Sequence, residues 1–185
     1  MTKVLGISGS LRRGSYNSAL LRAAARLMPE ESTLDIASLR GIPLYDGDVE
    51  AQGIPAAVSQ LKEAIAVADG VLLVTPEYNN SIPGVFKNAI DWLSRPSSDI
   101  KRVFGGRAFA IMGASPGAFG TTLSQAAWLP VLRTLGTQTW FGGRLLVARA
   151  SGVFGEGGAL KDAAVEEQLK QFLAGYVSFL RRPGG

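Results

Sequence analysis

The sequence predicts an α/β domain: a five-stranded parallel sheet in the order 2-1-3-4-5, with helices packed on both faces. Three observations predict it. Strand-like apolar runs alternate with helix-period segments along the whole chain, and five such βα units imply a parallel sheet covered on both sides. The strand runs, above all Val4–Ile7 and Gly70–Thr75 (GVLLVT), are continuously apolar, as strands buried on both faces are. At 185 residues, the span 1–185 reads as a single domain with room for a real core.

The elements follow in order. Val4-Leu5-Gly6-Ile7 is the first strand, and an amphipathic helix runs on through Leu20, Leu21, Ala24 and Leu27. Thr33–Leu39 carries Leu34, Ile36 and Leu39 as a second strand, followed by a long Gly/Pro/Asp-rich loop over Gly41–Pro55. Ala56–Ala68 places Val58, Leu61, Ile65 and Ala68 on one helical face. Gly70–Thr75 is the third strand, ended by Pro76, and a helix runs from about Pro83 to Leu93, with proline tolerated in its first turn. Arg107–Gly113 (RAFAIMG) is the fourth strand. Thr121–Leu135 is a helix with a kink expected at Pro130. Thr137–Trp140 and Leu145–Val147 form a fifth strand broken around Gly142-Gly143, and Gly152–Gly158 reads as a flexible loop. Val165–Leu180 is the last helix, and 181–185 are expected to fray.

Composition narrows the function. The chain is 46% hydrophobic and 18% charged, the balance of a folded globular protein. No apolar run approaches the roughly 20 residues that span a bilayer, and no signal peptide precedes the first strand, so no membrane insertion and a cytoplasmic location are expected. Cysteine and histidine are both absent, which removes disulfides, thiolate nucleophiles, Cys/His metal sites and His-based triads. Redox chemistry would need an organic cofactor. The net charge is +4 and the basic residues are scattered, which argues against a nucleic-acid partner.

In a 2-1-3-4-5 sheet, ligands sit beyond the carboxyl ends of strands one and three, where the order reverses. Both loops there read as binding loops. Val4–Ser18 (VLGISGSLRRGSYNS) ends a strand in glycines, hydroxyls and arginines and restarts as a helix, so backbone N–H groups and the helix dipole face the loop. That chemistry suits a phosphate. Ser15 or Asn17 equally has the side chain of a simple helix cap. A Walker A loop is disfavoured because Gly9-x-x-x-x-Gly14 is followed by Ser15 and Tyr16, and Gly6-Ile7-Ser8-Gly9 lacks the dinucleotide G-x-G-x-x-G spacing. After strand three, Thr75–Gly84 (TPEYNNSIPG) sets an aromatic and several amides outside the sheet, able to bring backbone N–H groups to the edge of a planar heterocycle. Asn79 and Ser81 also suit a turn and a helix cap there. A third loop, Gly113–Gly120 (GASPGAFG), is small enough to admit a flat ligand.

Gly9–Ser18 (GSLRRGSYNS) and Thr75–Pro96 (TPEYNNSIPGVFKNAIDWLSRP) resemble the hallmark segments of the NAD(P)H-dependent FMN reductases and their quinone-, chromate- and azo-reducing relatives. Length and element order agree over roughly the whole chain; past Gly120 the likeness is one of pattern. The resemblance implies a flavodoxin-like three-layer sandwich with bound FMN, and NADPH or NADH as co-substrate. It implies that Ser10, Arg12, Ser15, Asn17 and Ser18 hold the FMN phosphate, with Tyr16 also among the cofactor-binding residues. Pro76, Glu77, Tyr78 and Asn79 would hold the isoalloxazine, with Ser115 closing the other side. Neither a catalytic side chain nor a metal is implied, because the hydride chemistry takes place at FMN N5. Arg13 reads as facing solvent or a subunit partner. Lys87, Asn88 and Asp91 read as structural, and Trp92 as core or interface. Asn80 departs from some chromate-reducing relatives, which carry a second tyrosine there.

The activity so implied is ping-pong, two-electron transfer from NAD(P)H through FMN to a small acceptor: a quinone, chromate, an azo compound, free flavin or a ferric complex. A homodimer or homotetramer is implied as well, with Val85–Leu93 and Gln125–Leu135 as contact faces. The rival reading is a flavodoxin-like electron carrier without nicotinamide turnover. Such carriers are usually strongly acidic, and this chain is net basic.

Overall fold

The computed structural model describes residues 1–182. In chain order the strands are β1 (Thr2–Ser8), β2 (Ser32–Ala37), β3 (Gly70–Val74), β4 (Ala108–Ala114), β5 (Gln138–Thr139) and β6 (Leu145–Val147). All pair in parallel, in the order β2-β1-β3-β4-β5, with β6 also on β4. The broken fifth strand is thus two short pieces on one edge: β5 pairs the start of β4 (Ala108 with Gln138) and β6 its end (Met112 with Leu145). The helices are α1 (Tyr16–Arg26), α2 (Gly47–Gln52), α3 (Ala56–Ala66), α4 (Gly84–Leu93), α5 (Ile100–Val103), α6 (Thr122–Thr134), α7 (Ala150–Val153) and α8 (Ala163–Leu180).

Alternate strand residues point to opposite faces, so the sheet supports two cores. Val4, Leu72, Val74, Ala110 and Met112 pack against α1 and α8 through Leu20, Leu21, Leu169 and Leu173. Leu5, Ile7, Val71, Leu73, Phe109 and Ile111 pack against α3, α4 and α6 through Val58, Ile65, Ile90, Trp92 and Trp128. The result is the helix-covered parallel sheet that the apolar pattern predicts and the flavodoxin-like three-layer sandwich that the resemblance implies.

Several expectations are corrected. The loop over 41–55 contains α2, capped by Asp46, whose carboxylate accepts the Asp48 N–H at 2.8 Å. Its helical character was masked by the flanking Gly, Pro and Asp. This excursion is pinned to α4: Asn88 donates to the Pro43 carbonyl at 2.8 Å and accepts from the Tyr45 N–H at 2.8 Å, and the Trp92 indole donates to Pro43 at 2.9 Å. Asn88 and the fully buried Trp92 are therefore structural. The span 152–158 is ordered by α7 and by a 3-10 turn at Glu156–Gly158. Helix α6 runs unbroken through Pro130, because that residue lies on its exposed face, where water can serve the carbonyl it leaves free. A second surprise is the turn and short helix over 97–103, tied to α3 by an ion pair of 2.9 Å between the buried Lys62 and Asp99. Of the tail expected to fray, Arg181 is held: it donates to Thr2 Oγ1 at 3.2 Å and to the Glu30 carbonyl at 2.8 Å. Residues 183–185 lie outside the described residues.

Candidate functional site

The carboxyl ends of β1, β3 and β4 lie side by side, so their three loops converge on one edge of the sheet. The β1 loop starts with Gly9, whose N–H continues the ladder to Val74 at 2.9 Å. A side chain at Gly9 would meet the Phe86 ring at 2.2 Å, so only glycine lets this loop lie flat against α4. Residues 11–14 are exposed, and the chain re-enters at Ser15, which caps α1 by accepting the Ser18 N–H at 3.2 Å. Tyr16 and Asn17, the first two helical residues, have no intrahelical acceptor for their N–H groups, and no acidic side chain stands in that turn. The Arg12 guanidinium sits 5.4 Å over the Tyr16 ring, a cation–π contact that holds a positive charge at the positive end of the helix dipole.

Ser10, Arg12, Ser15, Tyr16, Asn17 and Ser18 are thus gathered at one helix terminus, but not in equivalent roles. The Asn17 side chain is 3% exposed and faces inward. It donates to the Ala114 carbonyl at 2.7 Å and accepts the Ala114 N–H at 2.8 Å, clamping the start of α1 to the end of β4. The Ser18 hydroxyl pairs with Ser8 Oγ at 3.0 Å. What Asn17 offers the loop is its backbone N–H, whereas the Ser18 N–H is already held by Ser15 Oγ. Ser10 and Arg12 reach outward; Ser10 Oγ accepts the Arg12 N–H at 3.4 Å.

The β3 loop is held from below. Thr75 is fully buried; its hydroxyl pairs with Ser124 Oγ at 2.9 Å and accepts the Trp128 indole N–H at 3.2 Å. Gly113 allows this approach, since a side chain there would strike the Thr75 carbonyl at 2.2 Å. Pro76 is buried. Glu77 turns its carboxylate onto the start of α6, accepting the N–H groups of Leu123 at 2.8 Å and Ser124 at 3.0 Å. Thr121, in the cap position of that helix, makes no side-chain capping bond, so Glu77 supplies the cap from another loop. Tyr78 and Ser81 exchange backbone hydrogen bonds of 3.1 and 3.0 Å around Asn79 and Asn80, whose φ angles are 49° and 63°. This is a type I′ turn, which needs two left-handed residues and which asparagine tolerates. The position of Asn80 is thereby explained. Tyr78 is left half exposed at the rim, while Pro83, not Asn79 or Ser81, occupies the cap position of α4.

On the β4 loop, Ser115 accepts the Gly117 N–H at 3.1 Å and its own N–H reaches Val147 at 2.9 Å. The three loops therefore form a slot: an anion cradle at one end and backbone-edged walls at 76–79 and 115–117 along it. Two free helix-start N–H groups, an outward hydroxyl and an arginine with no carboxylate partner among the described residues suit a phosphate monoester. Sequence reasoning missed Arg40, which donates to the Leu11 carbonyl at 2.5 Å and props the 10–13 loop from the end of β2. Nothing local marks that residue.

The fold is flavodoxin-like, and the chemistry of the slot suits a flavin mononucleotide. Residues 2–152 match the model of the NADPH-dependent FMN reductase family, and the chain belongs to that family. It is 44% identical over 183 residues to an NAD(P)H-dependent FMN reductase of Pseudomonas aeruginosa, covering 99% of this chain and 97% of that one. It is 46% identical over 124 residues to a 2-hydroxy-1,4-benzoquinone reductase of a Burkholderia species, covering 67% and 66% of the two chains. Among solved structures, the flavoenzyme NAD(P)H:(acceptor) oxidoreductase FerB of Paracoccus denitrificans superimposes with a TM-score of 0.87 at 30% identity, over 97% of both chains. The protein is an oxidoreductase that works with FMN and NAD(P)H.

Proposed function

We propose that this chain reduces quinones by ping-pong exchange on one face of an FMN held in the slot. The observation that carries the reading is the convergence of a cationic helix start with two walls of backbone at the 1–3 switch of the sheet. Arg12, Ser10, the Ser15 hydroxyl and the N–H groups of Tyr16 and Asn17 hold the phosphate. Pro76 to Asn79 present backbone to the edge of the ring, and Ser115 borders its opposite side. An FMN held there would supply the two-electron chemistry, with hydride coming from the reduced nicotinamide and the electrons going on to the acceptor. The chain orients the two partners in succession over one open face, and Tyr78 and Asn79 at the rim bound that face. Backbone donors near the ring favour its anionic reduced form. Quinone as acceptor is supported by the likeness to the benzoquinone reductase.

The test is a visible absorption spectrum of the protein reconstituted with FMN, taken before and after anaerobic NADPH or NADH and then after a benzoquinone. Bleaching by nicotinamide and recovery on quinone addition is the expected sequence. A bound flavin that neither nucleotide bleaches removes the reductase reading.

A further inference from the structure

The Tyr16 ring, over which the Arg12 guanidinium rests at 5.4 Å, is itself stacked on a second aromatic. The Phe154 ring lies 5.9 Å from it between centroids, at an interplanar angle of 21°. That is the offset stacking which aromatic pairs prefer. Phe154 is 5% exposed and belongs to the core on the α1 and α8 side of the sheet. It lies beyond residues 2–152, the span that matches the family model, and the flavin reading uses no atom of it.

The backbone around Phe154 is fixed. This residue ends α7, where its N–H donates to the Ala150 carbonyl at 3.2 Å, and it pairs with Leu160 in an antiparallel bridge. Gly155 donates to the Ala159 carbonyl at 2.8 Å and Lys161 to the Val153 carbonyl at 3.0 Å, closing a narrow turn. In that turn Gly158, with φ 79°, lies so near α1 that a side chain would meet Ala19 at 3.0 Å. The start of the same segment is tied to the β4 loop: Arg149 donates to the Gly117 carbonyl at 2.9 Å and Ala150 to the Ser115 carbonyl at 3.1 Å.

Arg12 is exposed and has no carboxylate partner among the described residues. A long side chain of this kind gives up rotamer freedom when it closes on an anion, and a seat prepared in advance lowers that cost. The seat is the Tyr16 ring, and a ring makes a defined seat only when its own plane is set.

We propose that Phe154 is a positioning residue for the phosphate end of the slot; this rests on the flavin reading above. Phe154 sets the plane of the Tyr16 ring, and that ring presets the Arg12 guanidinium for the dianion. Phe154 acts on the phosphate only through these two side chains.

The test is a double-mutant cycle read as FMN affinity, by quenching of flavin fluorescence, on the native chain, Phe154→Leu, Arg12→Ala and the double variant. Phe154→Leu should weaken FMN binding by about three- to ten-fold. The same change should matter by less than about two-fold once residue 12 is alanine, because nothing is left to position. Phe154→Tyr keeps the ring and should retain native affinity. If the leucine variant fails to fold, Phe154→Met, which fills the space without a ring plane, enters the same cycle. An affinity unmoved by loss of the ring, or a loss of equal size with and without Arg12, means that Phe154 only packs, and it overturns the proposal while the flavin reading stands. If Arg12→Ala leaves FMN affinity unchanged, the phosphate assignment falls and the proposal with it.

Discussion

Glu77 and Ser124 lie 47 positions apart in sequence, yet the Glu77 carboxylate accepts the Ser124 N–H at 3.0 Å and so closes the start of α6. The same oxygen takes the Leu123 N–H at 2.8 Å. A loop that borders the slot is thereby fastened to a helix that flanks it. Glu77→Ala leaves two helix-start donors without a protein acceptor and is expected to cost about 1–2 kcal/mol in urea unfolding. FMN affinity should fall with it, because the 76–79 backbone loses its tether. Unfolding free energy and flavin affinity both equal to native would remove this role.

Asn17 makes a two-way amide contact with Ala114 and is buried. Asn17→Ala should destabilise the apoprotein by about 2–3 kcal/mol, since it leaves a buried carbonyl and N–H unpaired. Chemical denaturation without flavin is the relevant measurement. A residue serving only a phosphate would leave the apoprotein untouched.

Arg12 is exposed and held by the Tyr16 ring. Arg12→Ala should weaken FMN binding by about ten- to a hundred-fold, the loss of one charge-assisted contact of roughly 1.5–3 kcal/mol. Fluorescence quenching of FMN on titration reads the affinity. An unaltered value means that the phosphate lies elsewhere.

The Asp99 carboxyl is held below its ordinary value, first by the hydrogen bond from Lys62, with burial opposing and Arg102 helping. A folded-state value below the unfolded one means stability that is present above the unfolded value, about 3.9, and lost as pH falls through the folded one. Asp99→Asn should remove that part of the acid limb and, by stranding the buried Lys62 ammonium, cost about 1–2 kcal/mol at pH 7 after allowance for the water that reaches Asp99. Unfolding free energies of the two proteins measured from pH 7 to pH 3 should converge toward the acid end. Parallel curves would show that this pair does not govern the limb.

A homo-oligomer is proposed from the family likeness, and the uncovered apolar side chains suit it. Val85 on α4 is 38% exposed, Leu129 on α6 42% and Phe141 72%. Leu129 and Phe141 border an apolar hollow of about 330 Å³ with Ile111 and Trp140, where the break between β5 and β6 uncovers the edge of β4. Light scattering at micromolar concentration should give a dimer or tetramer, and Leu129→Glu should lower the mass. A native monomer would refute the assembly.

Much of this protein was legible locally. Short continuous apolar runs bounded by Gly, Pro and hydroxyl residues suit buried strands better than helices, so β1, β3 and β4 and the loops that follow them could be read from length, composition and flanking turn residues. The shape of the 9–18 loop was legible for the same reason: a strand, a glycine turn and a capped helix are local events. Helix α2 was not, because its capping residue and its helical turns sit among residues that usually mark loops. What only the tertiary structure decided is which polar groups within the motifs face the slot and which hold it together. Asn17 spends its side chain on a residue 97 positions away, Glu77 on one 46 away and Arg40 on one 29 away. Hydrogen-bond partners so distant are set by the order of strands in the sheet, and the identity of the residue alone carries no sign of them.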